Sequence, residues 1–335
     1  MKAVGHQQPL PIEEERSLLD CDVPKPEPGP RDIRVAIKAV SVNPIDTKVR
    51  RRAVPEGETK ILGYDAAGVV DAVGSEVTLF QPGDEVFYAG SLVRQGTNAE
   101  FHVVDERIVG RKPRTLSFAE AAALPLTSIT AWELMFDRMG IARDKADNRT
   151  LLIVGGAGGV GSIMIQLARK LTGLTVIATA SRPETIKWCL DLGAHHVVDH
   201  SKPMKEQIEK LNVPPVAWIA SLTATGEHFK AMADILAPQG AIGLIDDPPP
   251  LDITLIKFKT GSLRWESMFT RSTYQTPDMI RQHELLNQVA DMIDAGDIKT
   301  TLDKVFGKIT ASNLRAAHAT IESGKSIGKI VLEGW

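Results

Sequence analysis

The run Gly155-Gly156-Ala157-Gly158-Gly159-Val160-Gly161 constrains the fold more than any other part of the chain. The apolar stretch Thr150-Leu151-Leu152-Ile153-Val154 precedes it, and Ser162-Ile163-Met164-Ile165-Gln166-Leu167-Ala168-Arg169 follows. The first stretch has the continuous apolar pattern of a buried strand, and the second continues as a helix, so the whole reads strand, tight turn, helix. Gly156, Gly158 and Gly161 stand at G-x-G-x-x-G spacing. In such a turn the first glycine bends sharply and the second lets backbone approach a pyrophosphate. The third lets the helix pack close to the sheet. The free N–H groups at the helix start then face the phosphates. Dinucleotide binding is therefore expected at Gly156, Gly158, Gly159, Val160 and Gly161.

The surroundings agree with that reading. Short apolar runs at 151–154, 175–179, 195–198, 216–220 and 241–245 alternate with helical stretches near 159–171, 183–192, 203–211 and 225–236. Alternation of this kind predicts an α/β, doubly wound parallel sheet. A last strand is expected over 262–269, and an amphipathic helix over 277–295, closed by Gly296. Before residue 117 the pattern is different. Residues 33–40 alternate apolar and polar, and further strands are expected at 65–73, 85–88, 101–104 and 108–109, joined by turns such as Pro82-Gly83-Asp84. Short strands with Gly/Pro turns suggest a barrel-like antiparallel domain. Pro24 to Pro30 is an extended lead-in, and Ser117 caps a short helix stopped by Pro125. The last forty residues read strand, helix, strand, returning to the first domain. The expected domains are 1–124 with 269–335, and 125–268.

A chain of 335 residues is long enough for two domains of about 150 residues each. Lys plus Arg number 39 against 42 Asp plus Glu, a net charge of −3, which offers no basic field for nucleic acid or an anionic membrane. No stretch approaches the ~20 apolar residues of a membrane helix. The N-terminal residues carry no apolar signal-peptide core, so the cytoplasm is expected. Two cysteines, Cys21 and Cys189, exclude a disulfide scaffold and a four-cysteine zinc lobe.

The tip of the second strand discriminates between nucleotides. An NAD enzyme usually places Asp or Glu there, on the ribose hydroxyls. Here the strand ends Ala178-Thr179-Ala180-Ser181-Arg182, without a carboxylate. Ser181 and Arg182 can instead bind a 2′-phosphate through charge-assisted bonds. NADP(H) is the expected cofactor, an ordinary exposed serine and arginine being the alternative.

Further blocks resemble one family. Gly63-Tyr64-Asp65-Ala66-Ala67-Gly68-Val69-Val70-Asp71-Ala72-Val73-Gly74 resembles the G-H-E-x-x-G-x-V-x-x-V-G segment of medium-chain dehydrogenases/reductases. The glycine run resembles the form used by their quinone oxidoreductase branch. So do Val42-Asn43-Pro44-Ile45-Asp46, the segment from Pro125 to Trp132, and Gly328-Lys329-Ile330-Val331-Leu332 near the end. The likeness spans the chain and is nearest to zinc-type alcohol dehydrogenase-like proteins. It implies a GroES-like β-rich catalytic domain split around a Rossmann domain, an active site in the cleft between them, and a homodimer.

Carried over by motif, the catalytic zinc ligands of zinc-dependent members fall on Asn43, Tyr64 and near Leu126. Asn and Tyr are poor zinc ligands and Leu is none, so zinc is not expected. The His195, His196, Asp199 and His200 group reads as a solvated strand end rather than a metal site. Without a Lewis acid, a quinone or α,β-unsaturated carbonyl is the easier substrate, because conjugation spreads the developing charge. The protein then needs positioning and a donor near the oxygen. Asn43, Tyr64 and Tyr88 are the candidates, with Tyr64 placed where a metal would sit, or else only shaping the pocket. Asp46, three residues beyond Asn43, is expected to cap a turn rather than to orient Asn43, and Arg50, Arg51 and Arg52 to form a solvated or cleft-mouth run. Cys189 reads as helix packing. The reading is an NADPH-dependent quinone or enone reductase. The alternatives are an alcohol/aldehyde dehydrogenase with a metal, and a non-enzymatic NADPH-binding redox sensor.

Overall fold

The computed structural model describes residues 1–143 and 145–335. The chain forms two compact units, Met1–Ile129 with Phe269–Trp335, and Thr130–Met268. Among the described residues no helix is long and apolar enough to cross a membrane.

The first unit is built on the long strand Asp32–Val42, whose side chains alternate buried and half-exposed up to Ile37. Beyond Ala39 both faces are buried, and the helices Phe118–Ala122 and Ala311–Glu322 pack against this strand. Asp65–Val73 pairs antiparallel on one edge, with Ser41 opposite Asp65, and Lys329–Glu333 on the other, with Ile330 opposite Val42. This register brings the residues after Val42 beside Asp65 and Lys329, from opposite ends of the chain. Phe101–Asp105 pairs with the same long strand, and Glu85–Ala89, Val109–Arg111 and Leu302–Val305 complete the sheet. A smaller sheet joins Leu19–Asp22, Lys2–His6 and Lys60–Ile61.

Two expectations change here. Residues 106–108 form a 3-10 turn and the strand begins only at Val109, because the Asp105 carboxylate accepts the Arg107 N–H and closes the turn. The amphipathic helix runs Arg281–Asp294 rather than from 277. Its expected first turn is diverted by Asp278, which accepts from Thr276 Oγ1 and the Arg271 guanidinium. The Ser117 cap is present as a full capping box with Glu120.

The second unit is a six-stranded parallel sheet in the order His196–Val198, Thr175–Thr179, Thr150–Val154, Val216–Ser221, Ala241–Leu244, Ser262–Trp265. The order reverses at Thr150–Val154, the switch point where doubly wound sheets bind ligands. That central strand is buried throughout. Leu152, Ile177, Ile219, Ile242, Phe229 and Met232 form its core, each worth about 1.5–3 kcal/mol of burial. The edge strand is shorter than the expected 262–269. The Glu266 N–H makes the last bond to Leu244 O, and the buried Glu266 carboxyl then holds the chain off the strand path. His195 lies outside its strand, where its Nδ1 accepts the Val176 N–H.

Candidate active site

The glycine turn joins Thr150–Val154 to the helix Gly159–Leu171, whose N-cap Gly158 offers no side-chain cap. The first N–H groups of this 13-residue helix are thus left for an external acceptor. A Cβ on Gly161 would sit 2.4 Å from Gly155 O, and one on Gly156 2.6 Å from the Ala178 Cβ. The chain's own packing demands both glycines. A Cβ on Gly158 would meet only Gly155 O, at 3.5 Å. Nothing among the described residues excludes a side chain there, and the open side is where a pyrophosphate would approach. Gly158, Gly159 and Val160 are half-buried. These residues fit a dinucleotide.

Thr179 ties the second strand to this turn, accepting Gly155 N on Oγ1 at 3.0 Å and Gly156 N on its carbonyl at 3.1 Å. The tie places Ala180, Ser181 and Arg182 beside the phosphate cradle. Ser181 is exposed, and Arg182 caps the helix Pro183–Asp191. Arg182 Nε lies 3.3 Å from Glu184 Oε1, a pairing that sequence reasoning did not anticipate. Both groups are solvent-accessible, so the pair is weak and its guanidinium can be recruited by a phosphate.

In the first unit, Asn43 caps the helix Pro44–Arg50 in a capping box with Asp46. Its N–H donates to Asp46 Oδ2 at 2.7 Å, and Gly63 N donates to Asp46 Oδ1 at 3.0 Å. Asp46 is thus the cap that the sequence suggests. Burial, above all, raises its pKa to about 7. The Asn43 amide is engaged on every side. Nδ2 donates to Asp65 Oδ2 at 2.8 Å and to Ser41 O at 3.3 Å, and Oδ1 accepts from Lys329 Nζ. Asp65 Oδ1 accepts the Leu126 N–H at 2.7 Å. Burial raises the Asp65 pKa, and the Lys329 ammonium works against the rise. Asp65 and Lys329 are the residues that sequence reasoning missed at this site. Each stands inside a quoted block, but only the strand register reveals their contact.

Tyr64 is buried, with its ring edge-on to Phe269 at 5.1 Å and 67°. Its hydroxyl has no hydrogen-bond partner among the described residues. Burial lifts its pKa above the usual phenol range, so the group is a neutral O–H at pH 7. Tyr88 differs. Its hydroxyl lies 2.9 Å from His102 Nδ1, and His102 Nε2 lies 3.0 Å from Gln95 O. A carbonyl only accepts, so Nε2 carries the ring proton and Tyr88 donates to Nδ1. Burial lowers the His102 pKa to about 4, in keeping with a neutral ring. The Tyr88 donor is spent inside the unit.

As zinc ligands, Asn43, Tyr64 and Leu126 do not fit. The amide is saturated, the phenol is protonated, and Leu126 offers only a backbone N–H already given to Asp65. Among the described residues no three His, Cys, Asp or Glu side chains are grouped to hold a metal. His200 packs against His228 at 5.9 Å, and Asp199 accepts from Ser201 N at 2.9 Å and Oγ at 2.6 Å. One expectation is corrected: Arg50 is not solvated. It is 1% exposed and donates to Leu10 O and, at 2.6 Å, to Glu322 Oε1. Arg51 lies 3.2 Å from the same Glu322 and remains exposed. Cys189 is buried beneath the glycine turn, its thiol pushed up to about 12 by burial.

Residues 29–130 match the alcohol dehydrogenase GroES-like domain family, and residues 192–332 match the zinc-binding dehydrogenase family. A zinc-type alcohol dehydrogenase-like protein of Staphylococcus aureus is 41% identical over 335 residues, 99% of each chain. A crystal structure from Rhizobium etli, described as a zinc-dependent alcohol dehydrogenase protein, is 57% identical with a TM-score of 0.97. It covers 100% of this chain and 98% of its own. The 2-methylene-furan-3-one reductase of Solanum lycopersicum is 29% identical over 94% of this chain and 74% of its own length. The glycine turn, the six-stranded parallel sheet, the GroES-like unit and these likenesses agree: the chain belongs to the medium-chain dehydrogenase/reductase superfamily of oxidoreductases, among its zinc-type alcohol dehydrogenase-like members.

Proposed function

We propose that this protein is an NADPH-dependent, zinc-independent reductase of quinones or α,β-unsaturated carbonyls. One observation carries the reading. Tyr64, the residue onto which the resemblance carries a zinc ligand, is a buried, neutral phenol whose hydroxyl has no hydrogen-bond partner among the described residues. Bound NADPH would supply the hydride. The Gly158–Val160 backbone and the helix start would bind the pyrophosphate, and Ser181 with Arg182 would bind the 2′-phosphate. Tyr64 would donate to the substrate carbonyl oxygen, favouring the charge that develops there as the β-carbon accepts hydride. Asn43, its own donors engaged, would act by holding the Tyr64–Asp65 segment in place. Solvent would protonate the resulting enolate. The tomato relative's named substrate is a conjugated enone, which supports this choice.

The test is NADPH oxidation across a panel of quinones, enals and saturated aldehydes, before and after a chelator. Turnover of the conjugated substrates alone, unchanged by chelation, is expected. Loss with chelator would move the reading to a metal-dependent dehydrogenase, and no turnover at all would move it to a non-catalytic nucleotide binder. Arg182→Ala should weaken NADPH binding about 10- to 100-fold, the equivalent of losing a charged hydrogen bond, and leave NADH binding nearly unchanged. Equal losses for both nucleotides would remove the 2′-phosphate assignment.

We also propose that the protein is a homodimer joined along the strand Ser262–Trp265. That strand ends the sheet, and no other strand among the described residues pairs with its outer side. Among the described residues no backbone hydrogen bond joins the segment Ile253–Lys259 to this strand, and Lys259 Nζ donates instead to Ala233 O and Asp234 O.

A further inference from the structure

A second buried ionisable cluster lies in the Thr130–Met268 unit, away from the glycine turn. Residues Glu133–Arg138 form a π-helical turn, in which Met139 N donates to Leu134 O. Such turns are rare and concentrate at functional positions. The side chains of Glu133 and Glu266 are both fully buried. One guanidinium serves the two carboxyl groups, with Arg138 Nε 2.7 Å from Glu266 Oε2 and Nη2 3.5 Å from Glu133 Oε2. The other Glu266 oxygen, Oε1, is buried with no hydrogen-bond partner among the described residues. Two buried carboxylates against one guanidinium would leave a negative charge uncompensated away from water, and a proton on one carboxyl removes that cost.

The place of this cluster matters. Glu266 is the first residue beyond the C-terminal end of Ser262–Trp265, and its N–H donates to Leu244 O of the neighbouring strand. Ligands of doubly wound sheets bind outside the C-terminal strand ends. The glycine turn occupies the switch-point strand end, and the Ser181–Arg182 tip lies on the side of Thr175–Thr179. The strand ends Val216–Ser221, Ala241–Leu244 and Ser262–Trp265 are left for the nicotinamide half.

We propose that Glu133 and Glu266 share one proton, and that this proton holds the chain end after Trp265 in the position that receives the nicotinamide half of the dinucleotide. Glu133 and Glu266 are positioning residues, and the inference rests on the dinucleotide reading above. Burial, then the Glu133 charge, raises the Glu266 pKa to about 8, with Arg138 opposing. Asp137 and Arg264 are exposed, Ala241–Leu244 contains no titratable group, and Asp246 is held by Thr225 N at 3.0 Å and by its hydroxyl. As pH rises through about 8 the proton leaves. Two carboxylates then face one guanidinium, and the strand end should be displaced.

The experiment compares wild type, Glu266→Gln and Glu133→Gln, because glutamine keeps a hydrogen bond but cannot ionise. NADPH is titrated by its fluorescence from pH 6.5 to 10, and melting of the free protein is followed over pH 4.5 to 10. Wild-type affinity should be level below pH 8 and then weaken about tenfold per pH unit, one proton per binding event. Each glutamine variant should lose that slope. In the free protein, wild-type stability relative to Glu266→Gln should decline between about pH 4.5 and 8 and level off above, since a raised carboxyl pKa favours the folded state at low pH. A Glu266→Gln affinity slope equal to wild type, or parallel melting curves, would overturn the proposal. If neither NADPH nor NADH binds at any pH, the dinucleotide reading fails, and the melting comparison still decides whether the proton is shared. Should Glu266→Gln not fold, Glu133→Gln carries the same test.

Discussion

Lys329 Nζ lies 3.2 Å from Asp65 Oδ2, with both side chains buried. The pair ties the last strand of the chain to the strand that begins beside Tyr64, and the Asn43 amide is held between them. Removing one partner of a buried pair leaves an uncompensated charge, which typically costs about 3–5 kcal/mol, whereas replacing both can be nearly neutral. Lys329→Met should therefore lose stability on that scale by urea unfolding, and the double variant Lys329→Met with Asp65→Leu should recover part of it. A Lys329→Met loss below about 1 kcal/mol would show that the pair is solvated.

Tyr64→Phe should separate stability from turnover. The hydroxyl is buried without a partner among the described residues, so its removal should leave the melting temperature unchanged or higher, by the equivalent of up to ~1–3 kcal/mol. If it donates to the substrate oxygen, kcat should fall about 10²-fold, the scale for one oxyanion donor. NADPH affinity should stay the same. Unaltered turnover would make Tyr64 a wall of the pocket and nothing more.

The strand, glycine turn and helix were legible because each signal is local: an apolar run, glycines at fixed spacing, and then a helical stretch. That Asp46 caps a turn was legible for the same reason, three residues beyond Asn43. What Asn43 does with its amide was not. That depends on the register pairing Val42 with Ile330 and Ser41 with Asp65, contacts between distant segments with no short-range signature. Arg50 illustrates a different failure. Three consecutive arginines read as a solvated run, yet one faces inward to Glu322 near the chain end. Glu266 was hidden inside what looked like a continuous strand, because a single buried carboxyl in an otherwise β-like run marks an end only once its partner, Glu133, is known.

His318 predicts acid sensitivity. It is fully buried on the helix Ala311–Glu322, and neither ring nitrogen finds a hydrogen-bond partner among the described residues. Burial, then Arg50 and His6, lowers its pKa to about 3. The unfolded chain, with an ordinary imidazole near 6.5, takes up the proton first, so stability falls as pH drops from about 6.5 toward 3. At pH 5 this one group should cost about 2 kcal/mol relative to pH 7.5. Unfolding at the two pH values should show His318→Leu losing less than wild type by about that amount. Part of the acid slope should survive in the variant through His102, also lowered by burial. Equal losses in the two proteins would place His318 in contact with solvent.

The outer edge of Ser262–Trp265 gives the sharpest test of assembly. A strand at the end of a sheet presents unpaired N–H and C=O groups, and soluble proteins usually guard such an edge with charge, a bulge or a cover. This one carries Arg264, but Trp265 beside it is 54% exposed, a large apolar surface for an unguarded edge. Phe258, 96% exposed, adds a second apolar side chain to the same unit. Pairing with the same strand of a second copy across a two-fold axis would satisfy the backbone and bury the indole together. Light scattering at micromolar concentration should give twice the 36.4 kDa of one chain. Trp265→Lys puts a charge where the indole would be buried twice, once in each copy, and should shift the protein toward the monomer while its melting temperature, measured well below the dissociation constant of the dimer, stays close to wild type. A wild-type monomer at micromolar concentration, or a Trp265→Lys dimer as tight as wild type, would mean that the two copies do not meet along this strand.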